Sequence, residues 1–197
     1  SWRLATGTGD TRTCTIAQNF ERNDALLKLP NGVFQVDNLK VYRVEKNDFG
    51  AVKVQGDGLV TYHTRYGHGS PLISPPGTHD LKISKRETKV IKRIADQLDL
   101  QSLPPAEILK KVKTYFNTQF TYSLKQKSKL KNSTPIVNFL SNIRSGYCEF
   151  FATATVLLLR QAGVPARYAK GYAVDPSDAM DGWSLVRLRR SHAWAVA

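Results

Sequence analysis

The sequence predicts an α+β chain in two parts: a β-rich N-terminal region over residues 1–84 and a core over residues 85–197 in which one buried helix packs on an antiparallel sheet. Three observations carry this. Short apolar or alternating runs separated by turn residues fill the first part. Apolar residues at helical spacing begin at Lys85. A later helix, starting near Cys148, is apolar around most of its circumference and must be central.

In the first part, Val33–Val36, Leu39–Val44, Ala51–Val54 and Leu59–Thr64 are the strand candidates, separated by Pro30-Asn31-Gly32, Asn47–Gly50 and Gly56-Asp57-Gly58. Residues 67–77, rich in Gly and Pro, read as a closing loop. Val90, Ile91, Ile94, Ala95 and Leu98 then mark one amphipathic helix over 85–98, and Ile108, Leu109, Val112, Tyr115 and Phe116 mark a second, with Pro105 suited to its first turn. Residues 123–134 form a Lys-rich polar loop, and a short helix spans Pro135 to Asn142. After the buried helix, Gly163 supplies a left-handed residue and Pro165 forbids continuation. Strands follow at 167–174, 183–189 and 191–197, with a polar loop over 175–182 between the first two.

Composition narrows the function. With 29 Lys and Arg against 16 Asp and Glu, the formal charge is +13, and 41% of residues are hydrophobic, which excludes a disordered tail or a collagen-like repeat. Two cysteines, Cys14 and Cys148, cannot make a disulfide scaffold, and no CxxC or Cys/His cluster suggests structural zinc. His63, His68 and His79 sit at no ligand spacing and are assigned to surface or loop, so no metal and no cofactor are expected. The best apolar run, Val156–Leu159, falls far short of the ~20 residues of a membrane span. Because the chain starts at Ser1 and stops inside a strand at Ala197, it is expected to be a fragment, truncated at its C-terminus. Thirteen basic residues lie between Lys82 and Lys131 against four acidic ones. Solvated helix faces explain them best, an anionic membrane surface comes second, and without a nucleic-acid motif no nucleic acid is expected.

Chemistry concentrates at Cys148. At the first turn of a helix, unpaired N–H groups and the macrodipole favour a thiolate, and the Cys148 N–H could serve a developing oxyanion. Gly146 is expected to allow a sharp turn and to leave room beside the sulfur, whereas Glu149 opposes thiolate formation. His192, 44 residues further on in Ser191-His192-Ala193-Trp194, is the best base of four histidines. Tyr147 could line the cleft. Trp194 reads as core, Arg160 and Arg167 as packing or surface residues, and Cys14 as an ordinary thiol.

Ser145-Gly146-Tyr147-Cys148-Glu149-Phe150-Phe151-Ala152, then Leu158 to Tyr168 with Gly171-Tyr172, and finally Ser191-His192-Ala193-Trp194, resemble the transglutaminase-like superfamily, and especially its bacterial extracytoplasmic, membrane-anchored branch. The resemblance spans roughly Lys85 to Ala197. It implies a papain-like fold and a triad with Cys148 as nucleophile and His192 as base. The family's Asp follows the histidine on the next strand, so it has no position before Ala197, and Asp175, Asp178 and Asp181 are not candidates. By analogy with papain-like enzymes, Asn142 is a possible second oxyanion donor, though it could equally cap the preceding helix. The implied function is acyl transfer at amide bonds of a protein or peptide through a Cys148 thioester. The alternatives are a cysteine peptidase or amidase of the same fold, and a non-catalytic binding module. The implied location is periplasmic or cell-surface.

Overall fold

The computed structural model of the chain describes residues 1–7, 10–20, 24–67, 74–125, 133–175, 179–187 and 190–197. It divides into two compact units, Ser1–Pro75 and Pro76–Ala197.

The first unit is all β among its described residues. Its strands are β1 (Trp2–Arg3), β2 (Arg12–Phe20), β3 (Asp24–Leu26), β4 (Val33–Asp37), β5 (Arg43–Lys46), β6 (Val52–Gln55) and β7 (Gly58–Tyr66). One antiparallel sheet has the order β1-β4-β7-β2 and a second β3-β6-β5. Val33, Val36, Val52, Val54, Val60 and Tyr62 project from these strands into a shared core. The strand expected over 39–44 begins instead at Arg43. Asn38 turns the backbone left-handed at φ 56°, so Leu39 and Val41 join the core from an irregular connection. His63 stands exposed on β7, its Nδ1 2.9 Å from the Thr15 hydroxyl; His68 lies outside the described residues.

The second unit begins nine residues before the boundary read from the sequence. The 3₁₀ turn Thr78–Leu81 carries Asp80, whose carboxylate accepts from Arg167 Nε at 2.8 Å. Arg160 donates to the Lys82 carbonyl at 2.7 Å and to that of Ala166 at 2.8 Å. These contacts bind residues 78–82 to the helical unit. Helices α1 (Lys85–Gln97) and α2 (Pro105–Gln119) follow. Ser84 caps the first, its hydroxyl accepting from Arg86 N, and Pro105 occupies the first turn of the second, where its missing N–H is no loss.

The two-residue strand β8 (Thr121–Tyr122) pairs in parallel with β9 (Ser145–Gly146). Between them the short helix α3 (Pro135–Asn138) runs into a π turn over Phe139–Ile143, which Arg144 closes at φ 48°. Helix α4 (Cys148–Gln161) comes next, and no residue along it is exposed. That is the burial its all-round apolar pattern predicts. Gly163 ends it at φ 84°.

Strand β10 (Arg167–Tyr172) then pairs antiparallel with the final strand, Ser191–Val196, in full register from Arg167 opposite Val196 to Tyr172 opposite Ser191. The intervening chain forms a small hairpin of β11 (Ala179–Met180) and β12 (Trp183–Ser184) around Asp181-Gly182, both at positive φ. The expected strand over 183–189 is thus two residues long. Leu185 and Val186 are exposed beyond it, and residues 188 and 189 lie outside the described residues. The final strand is β13 (Ser191–Val196). Ile91, Ile94, Ile108, Val112, Phe139, Leu140, Leu158 and Leu159 form the core that α4 shares with α1, α2 and α3.

Candidate active site

The first turn of α4 sits on a bed of aromatic rings. Phe120 and Phe139 lie 4.9 Å apart, and Phe139 touches Phe150 and Phe151 at 5.2 Å each. Phe116 meets Phe151 edge-on at 5.5 Å. These rings fix where the helix begins. Gly146 belongs to this packing: a Cβ there would lie 2.9 Å from Phe150 Cδ2 and 3.2 Å from the Phe139 ring. The glycine is therefore required by the close approach of two rings. The expected room beside the sulfur is instead room for Phe150 and Phe139.

Cys148 opens the helix, with Tyr147 as its N-cap residue. Phe150 N bonds back to the Tyr147 carbonyl at 3.0 Å, while the N–H groups of Cys148 and Glu149, ahead of that first bonded donor, have no acceptor within the helix. These are the donors a tetrahedral oxyanion beside the sulfur could use. Glu149, the residue expected to oppose a thiolate, has its carboxylate held by Lys170 Nζ of β10 at 2.8 Å.

A cleft of about 310 Å³ lies at this point, lined by Tyr122, Cys148, Phe151, Ala152, Thr155, His192, Ala193, Trp194 and Ala195. Cys148 and His192 therefore open onto the same space, one from the start of α4 and the other from β13. Strand alternation sorts the second wall. Ala193 is buried and Ala195 packs on the α4 core, whereas His192 and Trp194 face outward, with rings near-parallel at 6.3 Å. The strand thus meets the helix through its alanines, and His192 stands exposed at the rim of the cleft. Among the described residues no hydrogen bond joins Cys148 to His192. Trp194, expected in the core, is 42% exposed and forms cleft wall, because it shares the outward face with His192.

Two other expected site residues lie elsewhere. Asn142 is exposed on the π turn, its amide donating to Asn138 Oδ1 at 3.1 Å, and it lines no part of the cleft. Tyr147 packs edge-on against Phe150 at 5.2 Å, also outside the lining. Tyr122 takes the aromatic position instead. Its ring stacks on Phe151 at 6.1 Å, and Thr121 N and Ser123 N bond to the carbonyls of Arg144 and Gly146. A two-residue parallel bridge between segments 24 residues apart has no local sequence signature, so Tyr122 was not visible as a site residue.

The sequence profile of the Transglutaminase-like superfamily matches residues 92–197, more than half of the chain and all of the cleft. The chain belongs to that superfamily. Among curated relatives it is 31% identical over 102 residues to a protein-glutamine gamma-glutamyltransferase of Pseudomonas aeruginosa, covering 51% of this chain and 15% of that protein. It is 42% identical over 66 residues to YebA of Bacillus subtilis, covering 32% of this chain and 9% of that one. It therefore spans a small part of the length of either. The solved periplasmic domain of TgpA from Pseudomonas aeruginosa has the same fold, with a TM-score of 0.72 at 21% identity over 98% of this chain and 70% of that one. The α+β transglutaminase-like core expected from the sequence is thus the fold found. No described helix is long and apolar enough to cross a membrane. The lysines and arginines of α1 are exposed, and Lys92 pairs with Asp96 one turn on at 2.7 Å.

Proposed function

We propose that this domain carries out cysteine-dependent acyl transfer at amide carbonyls of protein or peptide substrates. Cys148 Sγ attacks the carbonyl carbon, and the first-turn N–H groups of α4 receive the oxygen as its charge develops. His192 takes the thiol proton and returns it to the departing nitrogen, leaving a thioester. A primary amine or water then attacks the thioester and regenerates the thiol. An amine gives a new amide, which is transglutamination when the donor is a glutamine carboxamide; water gives hydrolysis. The observation that carries this reading is the opening of Cys148 and His192 onto one cleft. Membership of the superfamily and similarity to a glutamyltransferase support it, and similarity to a periplasmic domain supports an extracytoplasmic location.

The decisive experiment is the rate of iodoacetamide alkylation of Cys148 against pH, in a Cys14→Ala background, with and without His192→Ala. A reactive plateau extending well below the ordinary thiol pKa of about 8.5, lost in His192→Ala, is expected. An ordinary titration indifferent to His192 would overturn the reading. With an activated thiol in hand, incubating a glutamine peptide with and without a primary amine, followed by mass spectrometry, separates transfer from hydrolysis.

A further inference from the structure

Glu149 presents a problem to any nucleophile at Cys148. A carboxylate one residue from the sulfur disfavours the thiolate, yet it lies in the first turn of the helix whose start is the most favourable place for a negative charge. The structure answers from another strand. Lys170 on β10 closes on Glu149 Oε1 at 2.8 Å, and Tyr168 lies two residues earlier on the same face of that strand. Lys170 is opposite Ala193 in the ladder and Gly171 is opposite His192, so this lysine is adjacent to the histidine's cross-strand partner.

We propose that Lys170 is a positioning residue for the nucleophile: it balances the carboxylate charge beside Cys148 and ties the first turn of α4 to the strand pair that carries His192. The proposal rests on Cys148 being the nucleophile, as argued above. Among the described residues, the charged and titratable groups around the pair are few. Helix α4 contributes Glu149 and Cys148, β10 contributes Lys170 and Tyr168, β13 contributes His192, and β8 contributes Tyr122. Lys170 is the only fixed cation in that set. Its ammonium is pushed above the ordinary lysine value, first by the hydrogen bond to Glu149 and then by that carboxylate's charge, so it stays charged across the neutral range. The pair is half-exposed, and exposed ion pairs add little to stability. Its effect falls on the neighbouring sulfur rather than on the fold.

The test is the pH profile of Cys148 alkylation, again with Cys14→Ala, in four variants: Lys170→Met, Lys170→Arg, Glu149→Gln and the Glu149→Gln/Lys170→Met pair. Lys170→Met is expected to raise the alkylation midpoint by on the order of half a pH unit, the size of one unit charge acting over several ångströms near a surface. Lys170→Arg keeps the wild-type midpoint, Glu149→Gln lowers it, and the double variant returns close to wild type. An unchanged midpoint in Lys170→Met while His192→Ala still abolishes the low-pH plateau would overturn this inference and leave the Cys–His reading standing. An equal shift in Lys170→Arg would also overturn it, since charge would then not be the cause. A Lys170 effect without any His192 effect would uphold the inference and overturn the base assigned to His192.

Discussion

Gly171 lies against the Trp194 ring so closely that a Cβ at Gly171 would come 2.9 Å from Trp194 Cη2. Trp194 in turn lies beside His192 and walls the cleft. The missing side chain on β10 thus sets the position of an aromatic on β13. Gly171→Val is expected to destabilise the domain by about 1–3 kcal/mol, as overpacking does, and to displace the tryptophan. Most of that loss should disappear in Gly171→Val/Trp194→Ala, where the ring is gone. Urea unfolding of the two single variants and the pair forms the cycle. Additive losses would mean that the contact does not govern the site.

Gly146→Ala tests the aromatic bed. The added methyl meets Phe150 at 2.9 Å and Phe139 at 3.2 Å, both embedded in the core that sets the start of α4. A destabilisation of about 1–3 kcal/mol is expected, accompanied by slower alkylation of Cys148 because the first turn moves. Phe150→Leu in the same background should recover part of the stability by making room. Thermal unfolding and the alkylation rate together check both halves.

The parts of this domain that were legible in the sequence are those governed by local periodicity. The all-round apolar pattern after Cys148 specified a central helix, and Pro105 and Gly163 marked helix ends where the chain puts them. Strand β2 was less visible, because its inward positions include Cys14 and Gln18 as well as Ile16 and Phe20, so apolar and polar residues do not alternate along it. The candidate site was legible at Cys148 and His192, which line one cleft. It was illegible where long-range pairing decides. Tyr122 reaches the cleft through a two-residue bridge, and Lys170 reaches Glu149 across two elements. Trp194 was misassigned because its neighbours Ala193 and Ala195 carry the packing, and a short strand of mostly apolar residues does not announce which face is inward.

The Asp80–Arg167 pair makes a prediction about acid stability. The Arg167 hydrogen bond, helped by the Gly77 N–H, holds the Asp80 carboxyl below the usual carboxylate range. A folded-state pKa below the unfolded value of about 3.9 means that the unfolded chain takes up the proton first as pH falls. The contribution is complete above the unfolded value and is lost as pH drops through the folded one. Asp80→Asn should therefore be less stable than wild type at pH 7, with the difference narrowing by pH 3. Urea unfolding at the two pH values measures it, and a constant difference would assign the effect to packing.

Tyr122 separates cleft from scaffold. Its ring is 58% exposed and rests on Phe151, which Phe116 and Phe139 also contact edge-on. Removing an exposed ring from a wall that is braced by other rings should leave the fold intact, so Tyr122→Ala is expected to stay within about 1 kcal/mol of wild type. The same ring lines the space that Cys148 and His192 share. A peptide lying in that space loses an apolar contact of the kind that orients an amide for attack, so its KM should rise several-fold with a smaller change in kcat. Alkylation by iodoacetamide, which is too small to need the wall, should keep its pH midpoint. If instead the midpoint moved while KM did not, Tyr122 would be acting on the sulfur through its hydroxyl, and the aromatic wall would be scaffold rather than binding surface.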